Sequence, residues 1–557
     1  MMSSRTIVNV SARLTEIAKR MPDSVAVAMP SGRHADGRRR YDTCTFHELD
    51  EDTNLLAAGL RAMGVRDGMR LVLMVRPGID FIAITFAIFK AGAVVVLVDP
   101  GMGHSHLICC LEQVRPDGFI AIPLVHAVRV LLHHKFPAAR YNVTVGHRWF
   151  WGGTTIDQLR ATVSTDFEPA ATYADTPAAV IFTTGSTGPP KGVGYRHGNF
   201  DTQVDQLQEC YGIKAGEIDL PGFPLFALFN CAMGVTTVIP DMDPTRPARV
   251  NPQNIIEAVE DWQVTQAFGS PALWNVVAKY GEQHRVHLRS LRRVLSAGAP
   301  VPPRVLESMK AIIAPDGEVH TPYGATEALP VASISAAEVL RDTAEVSRAG
   351  AGTCVGHRFS AIQWKVIRIS DEPIKDMAHA EALPIGEIGE LIVTGPVVTD
   401  QYVTRTEANT TGKISDGSRI WHRMGDVGYL DQEGRFWFCG RQVHRIRTNK
   451  ETLYTVPCEA VFNEHPRVYR SALVALGAPG AQTPVLIVQT HPGQQPNSLG
   501  ERQQLFAELR DLARAHQHTC TIEQFLVHPD FPVDIRHNAK IFREKLAVWA
   551  ARRLAQG

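Results

Sequence analysis

The segment Ile181–Asn199, IFTTGSTGPPKGVGYRHGN, is the stretch of this chain best suited to handling a polyanion. Thr183, Thr184, Gly185, Ser186, Thr187 and Gly188 are small, so backbone N–H groups can approach phosphate oxygens without a clash, and the hydroxyls add donors. Lys191 adds a compact positive charge just beyond Pro189 and Pro190. An apolar strand, AAVIF, leads into the loop, which argues against a merely flexible surface segment. The spacing GxxxxGK[ST] is absent, so this is not a Walker A loop.

Five more segments follow in order: SAGAP (Ser296–Pro300), TPYGATE (Thr321–Glu327), RMGDVGYLD (Arg423–Asp431), GRQVHRIR (Gly440–Arg447) and PVDIRHNAKIFREKL (Pro532–Leu546). Together with TTGSTGPPKG they resemble the motifs of the adenylate-forming superfamily, which includes acyl-CoA synthetases, peptide-synthetase adenylation domains and beetle luciferases. The resemblance implies that ATP and Mg²⁺ are used to turn a carboxylic acid into its acyl-AMP. It assigns Gly298 and Ala299 to the adenine wall, Tyr323 to adenine stacking, and Gly324 to the same nucleotide site. Thr326 would donate to the α-phosphate, Glu327 would hold Mg²⁺, and Asp426 would bind the ribose hydroxyls. Arg441 would contact ribose or phosphate, and Lys540 the α-phosphate and attacking carboxylate. A non-catalytic nucleotide-binding scaffold would not need Thr326, Glu327, Asp426, Arg441 and Lys540 together.

The thiol-transfer set departs from the family pattern. An acidic residue, a Lys and a Gly are usual at the domain junction, where this chain has His444, Arg447 and Lys450. Met424 replaces the usual Thr, and Ala227 stands where relatives often carry a His or aromatic gate. With LPGFPLFALFNCAMG (220–234) and YGATEALPVASI (323–334), this resembles the branch that forms β-lactones in bacterial long-chain olefin biosynthesis. It implies a long-chain 2-alkyl-3-hydroxy acid as substrate and other enzymes of that pathway as partners. A fatty acyl-CoA or acyl-carrier ligase is the alternative. Phe226, Phe229, Met233, Trp274 and Leu329, with Phe223 and Leu228, are expected to line an apolar acyl pocket. His444 and His197 are candidate bases for the 3-hydroxyl. The apolar VGHRWFWGG (145–153) is expected to be a partner-facing or lipid-facing edge, or a buried hairpin.

These groups need a scaffold of more than one core. At 557 residues and 45 % hydrophobic composition, two or more domains are expected. Strand-like and helix-like runs alternate (Arg70–Val75, Asp80–Lys90, Val94–Val98), which predicts α/β architecture with parallel sheets. Gly-rich short strands after Pro384 predict a β-rich subdomain over about 350–441, within an N-terminal domain of 1–441. Residues 442–557 are expected to form a small mobile α+β domain carrying Lys540. Its segment 491–501 should be a surface loop, and KIFREKLAVWAARRLA a final helix. The 57 basic and 57 acidic residues leave no field that favours nucleic acid. The nine cysteines show no CxxC spacing, as expected of free thiols in a cytoplasmic protein. Lys90 and the Ala91-Gly92 break interrupt the most apolar run, so no transmembrane segment is expected. The oligomeric state is not legible.

Overall fold

A computed structural model describes residues 6–161, 167–183, 189–533 and 541–555. Thr184, Gly185, Ser186, Thr187, Gly188 and Lys540 lie outside the described residues. The predicted alternation builds two large sheets. One has seven strands, ordered Thr154–Thr155, Tyr141–Thr144, Gly118–Ala121, Arg70–Met74, Val94–Leu97, Pro177–Phe182 and Gly192–Arg196. All neighbours are parallel except the last pair, which is antiparallel. The segment joining that pair begins at Thr183 and ends at Lys191.

The second sheet has nine strands. Its parallel interior runs from Glu318–Ala325 through Arg293–Ser296, Gln266–Gly269, Ile218–Pro221 and Thr236–Val238 to Val25–Arg33. Antiparallel hairpins extend it at both ends, through Ala328–Ser335 and Arg39–Thr45.

The helix Ile79–Lys90 shows why a charge survives in the most apolar stretch. Lys90 is fully buried, and its Nζ lies 2.6 Å from both Asp50 Oδ1 and Asn54 Oδ1. A buried ammonium without such partners would be strongly destabilising. Burial lowers the Lys90 pKa, and the Asp50 carboxylate opposes that shift.

The β-rich unit is a sheet ordered Thr353–Cys354, Phe436–Arg441, Arg419–Leu430, Gly389–Thr394 and Gln363–Ile367, with Lys413–Asp416 paired to Arg419–Leu430. A buried ion pair links two of its strands, Arg423 Nη2 to Glu390 Oε2 at 2.6 Å. Beyond it, Val468–Leu476, Thr483–Thr490 and Gln524–Val527 form a three-stranded sheet. The helices Thr455–Asn463, Leu499–Arg514 and Arg543–Ala555 bury Phe462, Leu505, Leu509, Leu546 and Ala550 against it. The surface stretch that begins at His491 ends at Ser498, whose Oγ caps the helix Leu499–Arg514 by accepting from Glu501 N at 3.1 Å.

The 145–153 segment is neither simply exposed nor simply buried. Trp149 and Phe150 are exposed, whereas Trp151 is buried and donates from Nε1 to Thr144 Oγ1 at 2.9 Å. No helix among the described residues is long and apolar enough to cross a membrane.

Candidate functional site

A cavity of about 1270 Å³ opens where the two large sheets face the β-rich unit. Its polar wall includes Thr183, Lys191, Gly298, Thr326, Glu327 and Arg441. Its apolar wall includes Phe223, Phe226, Leu228, Phe229 and Leu329.

Thr326 and Glu327 form the turn between Glu318–Ala325 and Ala328–Ser335. The Glu327 carbonyl accepts from Thr399 N at 2.9 Å and from Thr399 Oγ1 at 3.1 Å, while the Thr326 carbonyl accepts from the Tyr195 hydroxyl. With the turn fixed by backbone contacts, the Glu327 side chain is left for other work. Its Oε1 accepts from the Tyr402 hydroxyl at 2.7 Å. The Tyr402 ring carries Lys191 Nζ at 4.7 Å and Lys413 Nζ at 5.7 Å from its centroid. Lys413 Nζ also donates to the Thr399 carbonyl. Burial pulls the Lys413 pKa down to about 8, although Glu327 and Asp400 raise it. Burial, and then Glu327, raises the Tyr402 phenol. Two cations therefore stand near one carboxylate, Lys191 lining the cavity and Lys413 buried outside its lining.

Strand register makes the second cluster. Asp426 pairs opposite Arg441 in the antiparallel ladder, which brings RMGDVG and GRQ together. Asp426 Oδ1 lies 3.0 Å from Arg441 Nη1, and Oδ2 accepts from the Tyr323 hydroxyl at 2.5 Å. Arg441 Nη1 also donates to the Met424 carbonyl at 2.9 Å. Asp426 raises the Arg441 pKa against the pull of burial. Tyr323 and Asp426 are not among the cavity-lining residues, whereas their neighbours Pro322, Gly324 and Gly425 are. Gly298 lines the cavity and Ala299 does not; Gly298 has φ +96°, a conformation that favours glycine.

The acyl-pocket expectation needs two corrections. Trp274 is core: it is 1 % exposed and its Nε1 donates to the Leu295 carbonyl at 3.3 Å. Ser270 caps the helix Pro271–His284, whose inward face, Leu273, Trp274, Val277 and Ala278, packs away from the cavity. Met233 lines a separate cavity of about 50 Å³ instead, with Phe226, Phe229 and Asp219. Ala227 is buried in the core, while its neighbours Phe226 and Leu228 face the cavity.

Burial beside that small cavity raises the Asp219 pKa from 3.8 to about 7, although Asn230 Nδ2 donates to it at 2.7 Å. The folded state thus holds this proton where the unfolded chain has lost it, so stability falls as pH rises from about 4 to 7. Asp219→Asn is expected to remove that fall. In urea unfolding its advantage over the natural chain should grow as pH rises toward neutrality, by on the order of 1.4 kcal/mol for each tenfold drop in proton concentration.

Neither histidine expected as a base lines the cavity. His197 is buried, its Nδ1 accepts from Val10 N at 3.3 Å, and burial lowers its pKa to about 4. His444 Nε2 lies 3.0 Å from Glu544 Oε1. His422, which no sequence signal singles out, does line the cavity. Its Nδ1 lies 3.0 Å from the Gly412 carbonyl, and burial, then Lys413, holds its pKa well below 6.5. Tyr402 and Lys413 are equally unannounced, since neither falls inside a recognisable motif.

At the junction, Arg445 Nη2 and Arg447 Nη1 bind Asp371 at 2.7 and 2.8 Å, and Gln442 Nε2 donates to the Ser370 carbonyl at 2.7 Å. Lys450 is exposed in the turn closed by Thr448.

The chain matches the AMP-binding enzyme family model over residues 14–403. It is 48 % identical to the olefin beta-lactone synthetase of Xanthomonas campestris pv. campestris, over 98 % of each chain. It is likewise 48 % identical to the protein of that name from Stenotrophomonas maltophilia, over 98 % of each chain. In fold it is similar to an amide bond synthetase from Marinactinospora thermotolerans, with TM-score 0.78 and 23 % identity over 97 % of this chain and 99 % of that one.

Proposed function

We propose that this chain, which belongs to the AMP-binding enzyme family, is an ATP-dependent β-lactone synthetase of long-chain olefin biosynthesis. The observation that carries this reading is the 48 % identity to olefin beta-lactone synthetases over 98 % of the chain. The apolar cavity beside a cationic, carboxylate-bearing wall supports it. The substrate is a long-chain 2-alkyl-3-hydroxy acid, and the products are a β-lactone, AMP and pyrophosphate.

Lys191 draws the ATP phosphates to the polar wall, with Lys413 adding charge from its buried position and Thr183, Thr184, Gly185, Ser186, Thr187 and Gly188 donating from the loop. Asp426, set by Tyr323 and Arg441, accepts from the ribose hydroxyls. Glu327 keeps Oε2 clear of the bond that Tyr402 makes to Oε1, and one carboxylate plus substrate phosphates suits Mg²⁺. When bound, Mg²⁺ neutralises charge at the phosphates. Thr326 donates to the α-phosphate. Phe223, Phe226, Leu228, Phe229 and Leu329 hold the alkyl chains. The boundary between the large domain and the small one that carries Lys540 falls at Arg441/Gln442.

Two displacements follow. A carboxylate oxygen attacks the α-phosphorus and pyrophosphate leaves. The substrate's 3-hydroxyl oxygen then bonds to the activated carbonyl carbon, its proton passes to a base, and AMP departs. Holding hydroxyl and carbonyl together makes closure unimolecular, a gain of roughly 7–11 kcal/mol before ring strain is subtracted. We assign the proton to His422 Nε2, because His422 lines the cavity and donation of Nδ1–H to the Gly412 carbonyl leaves Nε2 as the acceptor.

His422→Gln tests this assignment. ATP–pyrophosphate exchange should stay within about threefold, while AMP release falls by about 10²-fold. Equal losses in both assays would remove His422 from the closure step. Multiple turnovers of AMP release with no thiol present test the reaction itself; AMP release only with coenzyme A would favour the acyl-CoA ligase reading.

A further inference from the structure

The helix Pro123–Leu131 has two apolar faces, and only one is used by the cavity. Ile122, just before it, and Val125 line the cavity wall. On the outside, Leu124, Val128 and Leu131 are 69, 42 and 78 % exposed, at spacings of four and three residues that make one helical stripe. Beside it stand Trp149 and Phe150, 58 and 78 % exposed. One contact holds that loop to the helix: Trp151 stacks on His126 with centroids 5.8 Å apart.

The stretch of chain that builds this face carries charge of one sign. Residues 118–156 contain no Asp or Glu, yet they carry Arg129, Lys135, Arg140 and Arg148. This occurs in a chain whose total charge is balanced, 57 against 57. Lys135 is paired with Glu112, at 2.8 Å. Arg140 and Arg148 are exposed.

We propose that this face docks on an anionic lipid bilayer. Leucines and aromatic rings that project from a surface enter the boundary between headgroups and acyl chains, and arginines at the rim meet anionic headgroups. A rim on which Arg140 and Arg148 are exposed and Lys135 alone is paired with a carboxylate fits a uniformly anionic surface better than it fits a second copy of this chain, which would bring the same arginines to the contact. The docked helix is also the one that separates the outside from the acyl cavity, so a two-chain lipid acid has a short path from bilayer to site. That last point rests on the proposed function; the stripe and the charge do not.

Flotation of the full chain with phosphatidylcholine vesicles, with and without phosphatidylglycerol, tests the proposal without ATP or acid present. The natural chain is expected to bind phosphatidylglycerol vesicles at least about tenfold more tightly than neutral ones. Leu131→Ser/Phe150→Ser and Arg140→Ser/Arg148→Ser should each weaken that binding by about tenfold. Both double variants should form AMP from detergent-dispersed acid at the natural rate, which shows that they fold. Absent binding to phosphatidylglycerol vesicles, or variants that bind as the natural chain does, would overturn the proposal. So would double variants that change only the oligomeric state in light scattering, which would mark the face as a contact between copies. Either failure would leave the reaction assignment standing, because no arm of the vesicle assay reads turnover.

Discussion

Glu327→Gln is expected to lower ATP–pyrophosphate exchange by about 10²–10³-fold. Gln keeps the shape of the turn, whose backbone is held by Thr399, and can still accept from Tyr402. What it loses is the negative charge among Lys191, Lys413 and the phosphates. A second readout follows from the same charge. Glu327 raises the Lys413 pKa, which burial has pulled down to about 8. In the variant that pKa falls further, so the alkaline side of the exchange profile is the place to look. Lys413 in the natural protein gains its proton as pH drops through about 8, and in the variant only at a lower pH. Unchanged exchange in Glu327→Gln would remove this carboxylate from phosphate and metal binding.

Lys540→Ala is expected to reduce pyrophosphate release by about 10²-fold or more while ATP binding stays within a few-fold. Lys540 lies outside the described residues, but both flanks are anchored. Phe542 N donates to the Pro532 carbonyl at 2.9 Å, and Val533 bridges Ile541. Arg543 Nη2 binds buried Glu459 at 2.6 Å, and Leu546 and Ala550 are fully buried. Deleting one lysine side chain between such anchors leaves the tail folded, so the loss is one of charge at the α-phosphate. Equilibrium ATP binding and single-turnover pyrophosphate release separate the two effects. A parallel loss in both would mean Lys540 holds ATP and does not act at the reacting phosphate.

The sequence exposed the parts of this enzyme that depend on local order. Apolar runs such as Val94–Leu97 and the helix Ile79–Lys90 read directly as parallel-sheet elements, and the Gly-punctuated stretch after Pro384 read as a β-rich unit. The motif residues Thr183, Lys191, Thr326, Glu327 and Arg441 indeed meet at one cavity. Contacts set by register stayed hidden. Tyr402 reaches Glu327 because its backbone bridges Val193 on the edge of the seven-stranded sheet, a pairing of distant segments that no spacing announces. Lys413 and His422 face each other across an antiparallel pair and were equally silent. Trp274 misled because an aromatic and aliphatic cluster has the same composition in a core and in a pocket; only its inward helical face tells them apart. The 145–153 segment contained both of its expected fates, with Trp151 inward and Trp149 and Phe150 outward.

Lactone closure without a thiol is the central claim, and the product itself tests it most directly. The purified chain, ATP, Mg²⁺ and a long-chain 2-alkyl-3-hydroxy acid are incubated with and without coenzyme A, and the lipid is analysed by mass spectrometry and infrared absorption. The expected product is one water lighter than the acid, shows the carbonyl stretch of a strained ring, and forms equally well without coenzyme A. A thioester that appears only when coenzyme A is added would contradict the account and make this chain an acyl-CoA ligase.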